Sequence, residues 1–530
     1  MSTASFLPTS SRIRRRFSLR RAAAWLVARA RDPKTSLWLV VTFAVLHALL
    51  WTVILIKLKA AQDVHMDVAE AFAWGQKFQF GYGKHPPLSG WIAGLWFSFF
   101  PVADWATYLL AMTTLGVSLV ICWLVALRVV DRRRAFLVVV TLALYPIFNF
   151  KGFKYNPDLL QLVTLPLVVL AYLNAFEKRS WLSGVWLGLA GALALMTKYW
   201  VLTMIGAIGL AALIHPDRLK FLRSPAPWVA IATLVVAMIP HLIWLRQVDF
   251  IPLTYAGDVY ALSSRAQSVK LVLGYIGHNV ALLAVPILLG AAVLAWRSRG
   301  IARFWSRGPN SGVRLPQALN IWMIQIIVAI GPPLGGLVFA VYMKTDWGIS
   351  LFFLTPLALI AIPALRVRAM ALFRITAIWL VLSLATLAAA PTIAIREIAD
   401  DPSGANSYAA RSQLARELTQ AWHTRFGSRW AVVAGTTEIG EPMTFYSPDH
   451  PAPFTPGELW SSGLTSLEEA KRLGFIGICD TTDARLPTCE AWMKENAPNA
   501  EQLVITTQRF FKGHPGPSVA WKIYIQPPGH

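Results

Sequence analysis

Long apolar runs, separated by short polar loops, repeat along most of the chain. Each run approaches the roughly 17–25 residues that cross a bilayer as an α-helix. A soluble protein could not bury so many of them, so the pattern predicts a polytopic α-helical membrane protein. Eleven spans are predicted, near residues 37–57, 104–128, 135–150, 159–176, 182–197, 200–214, 228–246, 270–296, 318–342, 348–365 and 371–392.

One apolar segment is too short to be a span. The run "PLSGWIAGLWFSFFP" lies in the first loop, residues 58–103, and has prolines at both ends. A segment of about 15 residues with such ends is more typical of an interfacial or re-entrant helix than of a crossing helix.

The pattern changes after residue 392. Helices are predicted over residues 407–426, 466–474 and 489–497, and strands over residues 430–436, 475–479, 502–511 and 520–526. Alternating helices and strands indicate a small soluble α/β domain, and we expect its sheet to be largely parallel.

The distribution of charge predicts the orientation of the spans. The formal net charge is +22, but residues 393–530 hold 12 Lys and Arg against 15 Asp and Glu. The basic excess lies in residues 1–36 and in alternate loops such as 297–314, as is typical of cytoplasmic segments and not of a nucleic-acid-binding surface. Residues 1–36 are therefore predicted to be cytoplasmic, residues 37–392 to form the membrane domain, and residues 393–530 to lie outside with the first loop.

Cysteine usage agrees with an outer terminal domain. Cys122 lies in a predicted span, whereas Cys479 and Cys489 are ten residues apart in the terminal domain. Two cysteines in an oxidising compartment commonly pair, although a cytosolic pair would suggest metal or redox chemistry. No histidine or third cysteine has zinc-ligand spacing nearby, which favours a disulfide.

The first loop concentrates the side chains with catalytic potential. Asp67 and Glu70 are three residues apart, so on one helical turn they share a face. Lys84 and His85 follow, and two prolines stiffen the chain after them. An acid can take a proton from an acceptor, and cations stabilise the charge on a departing phosphate. The combination suits transfer from a phosphate-linked donor.

The stretch "MDVAEAFAWGQKFQFGYGKHPPLSGW" resembles the first outer loop of bacterial family-39-type glycosyltransferases of the GT-C class. This group includes the protein O-mannosyltransferase superfamily, lipid A aminoarabinose transferases and rhizobial lipopolysaccharide galacturonosyltransferases. Further similar segments are "KYNPDLLQLVTLPLVVLAYLNAFE", "WLGLAGALALMTKYW" and "PHLIWLRQVDF", and the terminal domain adds "FYSPDHPAP".

The resemblance implies an inverting transfer from a polyprenyl-phosphate sugar to a lipid, glycan or protein acceptor outside a bacterial inner membrane. It matches Asp67 to the catalytic acid. The adjacent Asp-Glu pair of the family is interrupted here by Val68, which leaves the role of Glu70 open. Many relatives use a divalent metal, but no strong ligand cluster is visible in the sequence. Asp158 is a second candidate acid, or a cap on the span that follows it.

Further charged residues at the predicted outer ends of spans have two interpretations each. Lys198 and Tyr199 are candidates for contacting the donor phosphate. The alternative for Lys198 is that its ammonium only extends towards the membrane–water interface. His241 lies in a span, where a titratable group is a candidate for function or bonds to a neighbour. Arg246 is a further candidate for the donor phosphate, and Lys344 for an acidic acceptor.

A lipid transporter or flippase is the alternative class, because it would also be polytopic. Such carriers commonly contain inverted repeats and broken helices with charges at the membrane midplane. No repeat is visible here, and the acids cluster in outer loops. The transferase is therefore the favoured prediction.

Overall fold

The computed structural model describes residues 19–295, 312–400, 405–458 and 464–529. The predicted loop 297–314 lies largely outside these ranges. Short 3-10 turns lie at Pro146–Phe148, Phe150–Phe153, Tyr199–Val201, Thr345–Gly348 and Phe352–Leu354. The helices before residue 401 are α1 Leu19–Arg31, α2 Ser36–Leu58, α3 Met66–Gly75, α4 Leu88–Phe97, α5 Asp104–Val129, α6 Arg132–Leu142, α7 Pro157–Lys178, α8 Trp181–Leu195, α9 Leu202–Ile214, α10 Arg218–Leu222, α11 Pro225–Gln247, α12 Ile251–Val259, α13 Arg265–Ala295, α14 Leu315–Phe339, α15 Thr355–Ile360 and α16 Ala369–Asp400.

Seven of the helices in the described ranges are long and apolar enough to cross a membrane: α2, α5, α7, α11, α13, α14 and α16. Each coincides with a predicted span. The prediction of a polytopic α-helical membrane protein is therefore confirmed. The predicted short helix of the first loop is also present, as the ten-residue α4.

The other four predicted spans are short or broken, so eleven continuous spans are not confirmed. Helices α8 and α9 have 15 and 13 residues. Helix α6 ends at Leu142, and the chain bends by 80° before it continues through Pro146–Phe153. Between residues 348 and 365 the α-helical part is the six-residue α15, which follows the 3-10 turn at Phe352–Leu354 and ends before Pro363. Proline lacks a backbone donor and clashes with the preceding turn, so Pro146 and Pro363 explain why α6 and α15 end early, whereas α8 and α9 nearly fill their short apolar runs.

Glycines allow the two helices of the first loop to pack closely. A Cβ added to Gly75 of α3 would lie 2.5 Å from the backbone nitrogen of Gly94 in α4, and one on Gly94 would lie 2.4 Å from the carbonyl oxygen of Gly75. Any side chain at either position would push the helices apart. The pair therefore fixes α3, which carries both candidate acids, against α4.

The terminal part forms the predicted small domain. The helices and strands predicted from the sequence are present, together with β2 and α19, which were not predicted. Pro442 inside α19 hid that helix from sequence analysis. The elements are α17 Ala405–Tyr408, α18 Arg411–Phe426, β1 Val432–Ala434, α19 Thr437–Tyr446, β2 Ala452–Phe454, α20 Leu467–Leu473, β3 Phe475–Asp480, α21 Leu486–Asn496, β4 Glu501–Phe511 and β5 His514–Gln526.

The sheet is mixed, so the expectation of a largely parallel sheet was wrong. Its strand order is β2-β1-β3-β5-β4. The pairs on the β1 side are parallel, and those that involve β5 are antiparallel. The cause is a two-residue turn at Lys512 and Gly513, both with positive φ, which returns β5 directly beside β4. Such a turn matches the twist of two antiparallel strands.

Cys479 of β3 and Cys489 of α21 form a disulfide, with Cα atoms 5.9 Å apart. Closing a loop this short contributes about 2–3 kcal/mol in the chain-entropy model. The bond ties α21 to the sheet.

The terminal domain is joined to the first loop through Asp63. This buried carboxylate forms an ion pair with Arg509 and accepts a hydrogen bond from the backbone N–H of Arg411 at 2.9 Å. The backbone N–H of Asp63 donates to the carbonyl oxygen of Ser407 at 2.7 Å. Asp63 is therefore a structural residue, although in the sequence it looks like an ordinary loop acid.

Candidate active site

Asp67 lies in the first turn of α3 and is held by the segment that precedes α7. Its carboxylate accepts a hydrogen bond from Asn156 Nδ2 at 2.8 Å and lies 3.4 Å from Lys154 Nζ. Asn156 also caps α7, because its Oδ1 accepts from the backbone N–H of Leu159 at 2.9 Å. His65 caps α3 through the backbone N–H of Asp67, at 3.1 Å. The starts of two helices thus fix the carboxylate.

The surrounding charges favour the ionised form of Asp67. Burial raises the pKa of its carboxyl group, but Lys154, His65 and the hydrogen bond from Asn156 outweigh burial and hold the pKa well below its usual range. Lys344, which is exposed, acts in the same direction. Asp67 is therefore negatively charged at neutral pH. It can accept a hydrogen bond from an acceptor hydroxyl, but its low pKa makes it a weak base in the ground state.

Glu70 lies one turn further along α3 and holds a different lysine. Its Oε1 accepts a hydrogen bond from Lys84 Nζ at 2.6 Å, and both side chains are about one-tenth exposed. Burial alone would lower the pKa of Lys84, but Glu70 and Glu441 outweigh burial and raise the pKa, so Lys84 is charged. The two predicted acids therefore have separate partners instead of a common one.

A cavity of about 360 Å³ lies beside Lys84. It combines two ammonium groups with aromatic hydroxyls, which suits an anionic group attached to a larger apolar molecule. Four of the five predicted phosphate ligands line it: Lys84, His85, Lys198 and Tyr199. The remaining lining residues are Trp200, Leu202, Thr203, Pro252, Tyr255, Ala256, Tyr260 and Trp347.

His85 faces this cavity as a neutral ring. Burial lowers the pKa of His85 well below its ordinary value, and Lys198 and Lys84 lower it further. Its Nδ1 is buried and has no hydrogen-bond partner among the residues that the structure describes. The ring therefore adds a hydrogen-bonding group to the cavity and no positive charge.

Asp158 is paired with Lys198 and does not cap α7. Lys198 Nζ donates to the two carboxylate oxygens of Asp158 at 2.7 and 2.9 Å. The same ammonium lies 5.6 Å from the ring centre of Trp347. The alternative of a helix cap is excluded because Asn156 occupies that position. Asp158 fixes a lysine at the cavity wall.

His241 and Arg246 lie outside the cavity. Both ring nitrogens of His241 are occupied: Nδ1 donates to the carbonyl oxygen of Phe80 at 2.6 Å, and Nε2 accepts from the hydroxyl of Tyr199 at 3.0 Å. His241 therefore joins α11 to the first loop. Arg246 is exposed at the end of α11.

Sequence analysis missed several residues of the site. Lys154 and Asn156 hold Asp67, and Tyr255, Tyr260 and Trp347 form cavity walls. The segment "KYNPD" was the available signal, because it ends an apolar run on the same predicted side as the first loop. Nothing in the sequence shows that Tyr255 and Tyr260, whose hydroxyls are 2.9 Å apart, reach this cavity.

The described residues do not provide a metal site. Within residues 19–295, 312–400, 405–458 and 464–529, no three His, Cys, Asp or Glu side chains are placed to share an ion. Asp67, Glu70 and Asp158 each contact a lysine instead. The carboxylates that could hold a divalent cation are therefore each engaged with a lysine in the described part of the chain.

Comparison with known proteins identifies the fold. Residues 84–244 match the family described as dolichyl-phosphate-mannose-protein mannosyltransferase. The lipid A galacturonosyltransferase RgtD of Rhizobium johnstonii is 25% identical over 245 residues. That alignment covers 43% of this chain and 47% of RgtD, so it spans about half the length of the curated relative.

The solved structures of ArnT from Cupriavidus metallidurans cover nearly the whole chain. The apo structure aligns over 94% of this chain and 98% of ArnT, with a TM-score of 0.58 and 10% identity. The structure bound to undecaprenyl phosphate covers the same shares, with a TM-score of 0.54 and 13% identity. The resemblance to the membrane glycosyltransferases of the GT-C class is therefore confirmed, and the fold is that of ArnT.

Proposed function

We propose that this protein transfers a sugar from a polyprenyl-phosphate donor to an acceptor at the outer face of a bacterial inner membrane. The observation that carries the proposal is the cavity in which Lys84 and Lys198 lie together with His85 and Tyr199. These residues come from two separate outer segments, and the first loop also carries the ionised Asp67. ArnT, which shares the fold, has been solved with undecaprenyl phosphate.

The proposed reaction is a single displacement with inversion. An acceptor oxygen bonds to the anomeric carbon while the bond from that carbon to the phosphate oxygen breaks. The prenyl phosphate leaves with the electron pair, and the lysines stabilise its charge. Asp67 accepts the acceptor's hydrogen bond and takes the proton as the new bond forms. Lipid A is the favoured acceptor because RgtD is a lipid A transferase, and another envelope glycan or a protein is the alternative.

A second cavity offers a path for the prenyl chain. It has a volume of about 350 Å³ and almost entirely apolar walls from α7, α8, α9, α10 and α11. Leu202 and Thr203 of α9 line the phosphate cavity, and Ile205, Ile208 and Gly209 of the same helix line this one. A chain attached to a phosphate in the first cavity would therefore run along α9 into the second.

Filling the apolar cavity should weaken the use of long-chain donors. An added Cβ at Gly209 or at Gly206 meets no atom within 4 Å, so neither position opposes a larger side chain, and only Gly209 lines the cavity. We expect Gly209→Leu to raise the KM for a long-chain donor by about tenfold, which corresponds to about 1.4 kcal/mol. Gly206→Leu, the matched control, should behave as wild type. Equal effects of the two variants would show that the chain lies elsewhere.

The orientation can be tested with a reporter. The proposal places residues 393–530 in the periplasm, an oxidising compartment in which the Cys479–Cys489 disulfide persists. Alkaline phosphatase fused after residue 530 should therefore be active, and a cytoplasmic reporter at the same point inactive. The reverse pattern would place the domain and the cavity on the inner side.

A further inference from the structure

The terminal domain contains a buried acid, Glu441, that acts electrostatically on Lys84 of the phosphate cavity. Helix α19 is fixed on the first loop at its end: the rings of Phe445 and Phe72 are 5.5 Å apart, and the hydroxyl of Tyr446 accepts from the backbone N–H of Val64 at 2.6 Å. One and a half turns earlier on α19, Glu441 is buried, with 3% of its surface exposed. It acts electrostatically on Lys84 and on Glu70.

The carboxylate of Glu441 is only partly satisfied by hydrogen bonds: it accepts one from its own backbone N–H. Its Oε2 is buried and has no hydrogen-bond partner in the described structure. A buried ionised carboxylate is costly unless it is fully paired. Lys84 is the cation that acts most strongly on Glu441 among the described residues, and Glu70 already accepts a hydrogen bond from that ammonium. The geometry thus favours the neutral acid.

Three charged groups, each on a different segment of the chain, act electrostatically on Glu441. They are Glu70 on α3, Lys84 in the first loop and Glu458 after β2. Burial raises the pKa of Glu441 well above its ordinary value, Glu70 raises it further, and Lys84 opposes this effect. Because the folded-state pKa is raised, the proton is held at low pH and lost as the pH increases through that value.

We propose that Glu441 is a positioning residue of the donor site, which as a neutral acid leaves Lys84 to the donor phosphate and as a carboxylate competes for that ammonium. This inference rests on the proposed function. It gives the terminal domain a part in donor binding, because the residue that adjusts Lys84 belongs to α19. No bond to the sugar is made or broken at Glu441.

The test is the affinity of purified full-length protein for undecaprenyl phosphate, measured in a series of buffers from about pH 6 to about pH 9, because burial shifts the pKa of a carboxyl group upwards. In the wild type the dissociation constant should increase by about tenfold as the pH rises, since ionised Glu441 draws Lys84 away. Glu441→Gln and Glu441→Leu are both neutral, so both should keep the tight affinity across this range. Changes in the ionisation of the ligand are common to all variants and cancel in the comparison.

Glu438→Gln is the matched control on the same helix. Glu438 pairs with Arg485 at 3.4 Å, so its variant should retain the pH dependence of the wild type. If both folded Glu441 variants also retain that dependence, the inference is wrong while the proposed donor stands. If wild-type protein does not bind undecaprenyl phosphate at any pH, the proposed function itself is wrong.

Discussion

Asp67→Asn is expected to lower turnover by about 100-fold or more, the usual effect of removing a catalytic acid or base. The amide has nearly the same shape and can still accept a hydrogen bond from Asn156, so the fold should persist. It has no negative charge and cannot take the acceptor's proton. Turnover of purified protein with a defined prenyl-phosphate sugar measures this effect.

The matched control is Asp258→Asn. Asp258 is an exposed acid on α12, the helix that also carries Tyr255 of the cavity. Its replacement makes the same chemical change without altering the site, and should leave turnover unchanged. Near wild-type turnover of folded Asp67→Asn would show that another group receives the proton, or that the acceptor arrives already ionised.

Lys84→Ala is expected to lower kcat/KM for the donor by about 100-fold, as when one group that stabilises a developing anion is removed. Lys198→Ala should also lower kcat/KM, because Lys198 carries the second ammonium group of the cavity and, like Lys84, is paired with one carboxylate. Arg246→Ala should have almost none, because Arg246 lies outside the cavity. Should Arg246→Ala prove the most damaging of the three, the phosphate is held at the end of α11 instead.

Lys84→Ala also leaves Glu70 buried without its partner, which costs about 3–5 kcal/mol in comparable buried pairs. A loss of activity could then reflect unfolding. The double variant Glu70→Gln with Lys84→Met removes both charges and leaves neither unpaired. If the folded double variant is inactive while Glu70→Gln alone remains active, the lost phosphate contact explains the effect, whereas recovered turnover would give Lys84 a purely structural role.

The sequence could predict which residues lie close together at the ends of apolar runs, because the ends of spans on the same side of a membrane are neighbours. Lys84 and His85 in the first loop, and Lys198 and Tyr199 after α8, do line a single cavity. Arg246 and His241 do not line this cavity, since the end of a span does not reveal which direction its side chains face, and a role for either in the reaction stays a prediction. That direction is set by helix packing, as the two hydrogen bonds of His241 show.

Contacts between residues that are far apart in the sequence could not be predicted. Asn156 donates to Asp67 from 89 residues away, and Glu441 acts electrostatically on Lys84 from another domain. A single sequence carries no signal for such pairs. The ion pair between Asp63 of the first loop and Arg509 of the terminal domain is another example, because only the folded chain reveals that the two residues meet. Likewise, prolines shortened apolar runs that hydropathy alone made look continuous.

The most direct test of the proposed transfer is mass spectrometry of lipid A and envelope glycans from a strain that lacks the gene. The account predicts that one sugar substituent is absent from the deletion strain and restored by wild-type protein, but not by Asp67→Asn at equal membrane levels. Simultaneously, the polyprenyl-phosphate sugar should accumulate. An unchanged set of glycans and lipids in the deletion strain, or full restoration by Asp67→Asn, would contradict the assignment of a transferase with Asp67 at its centre.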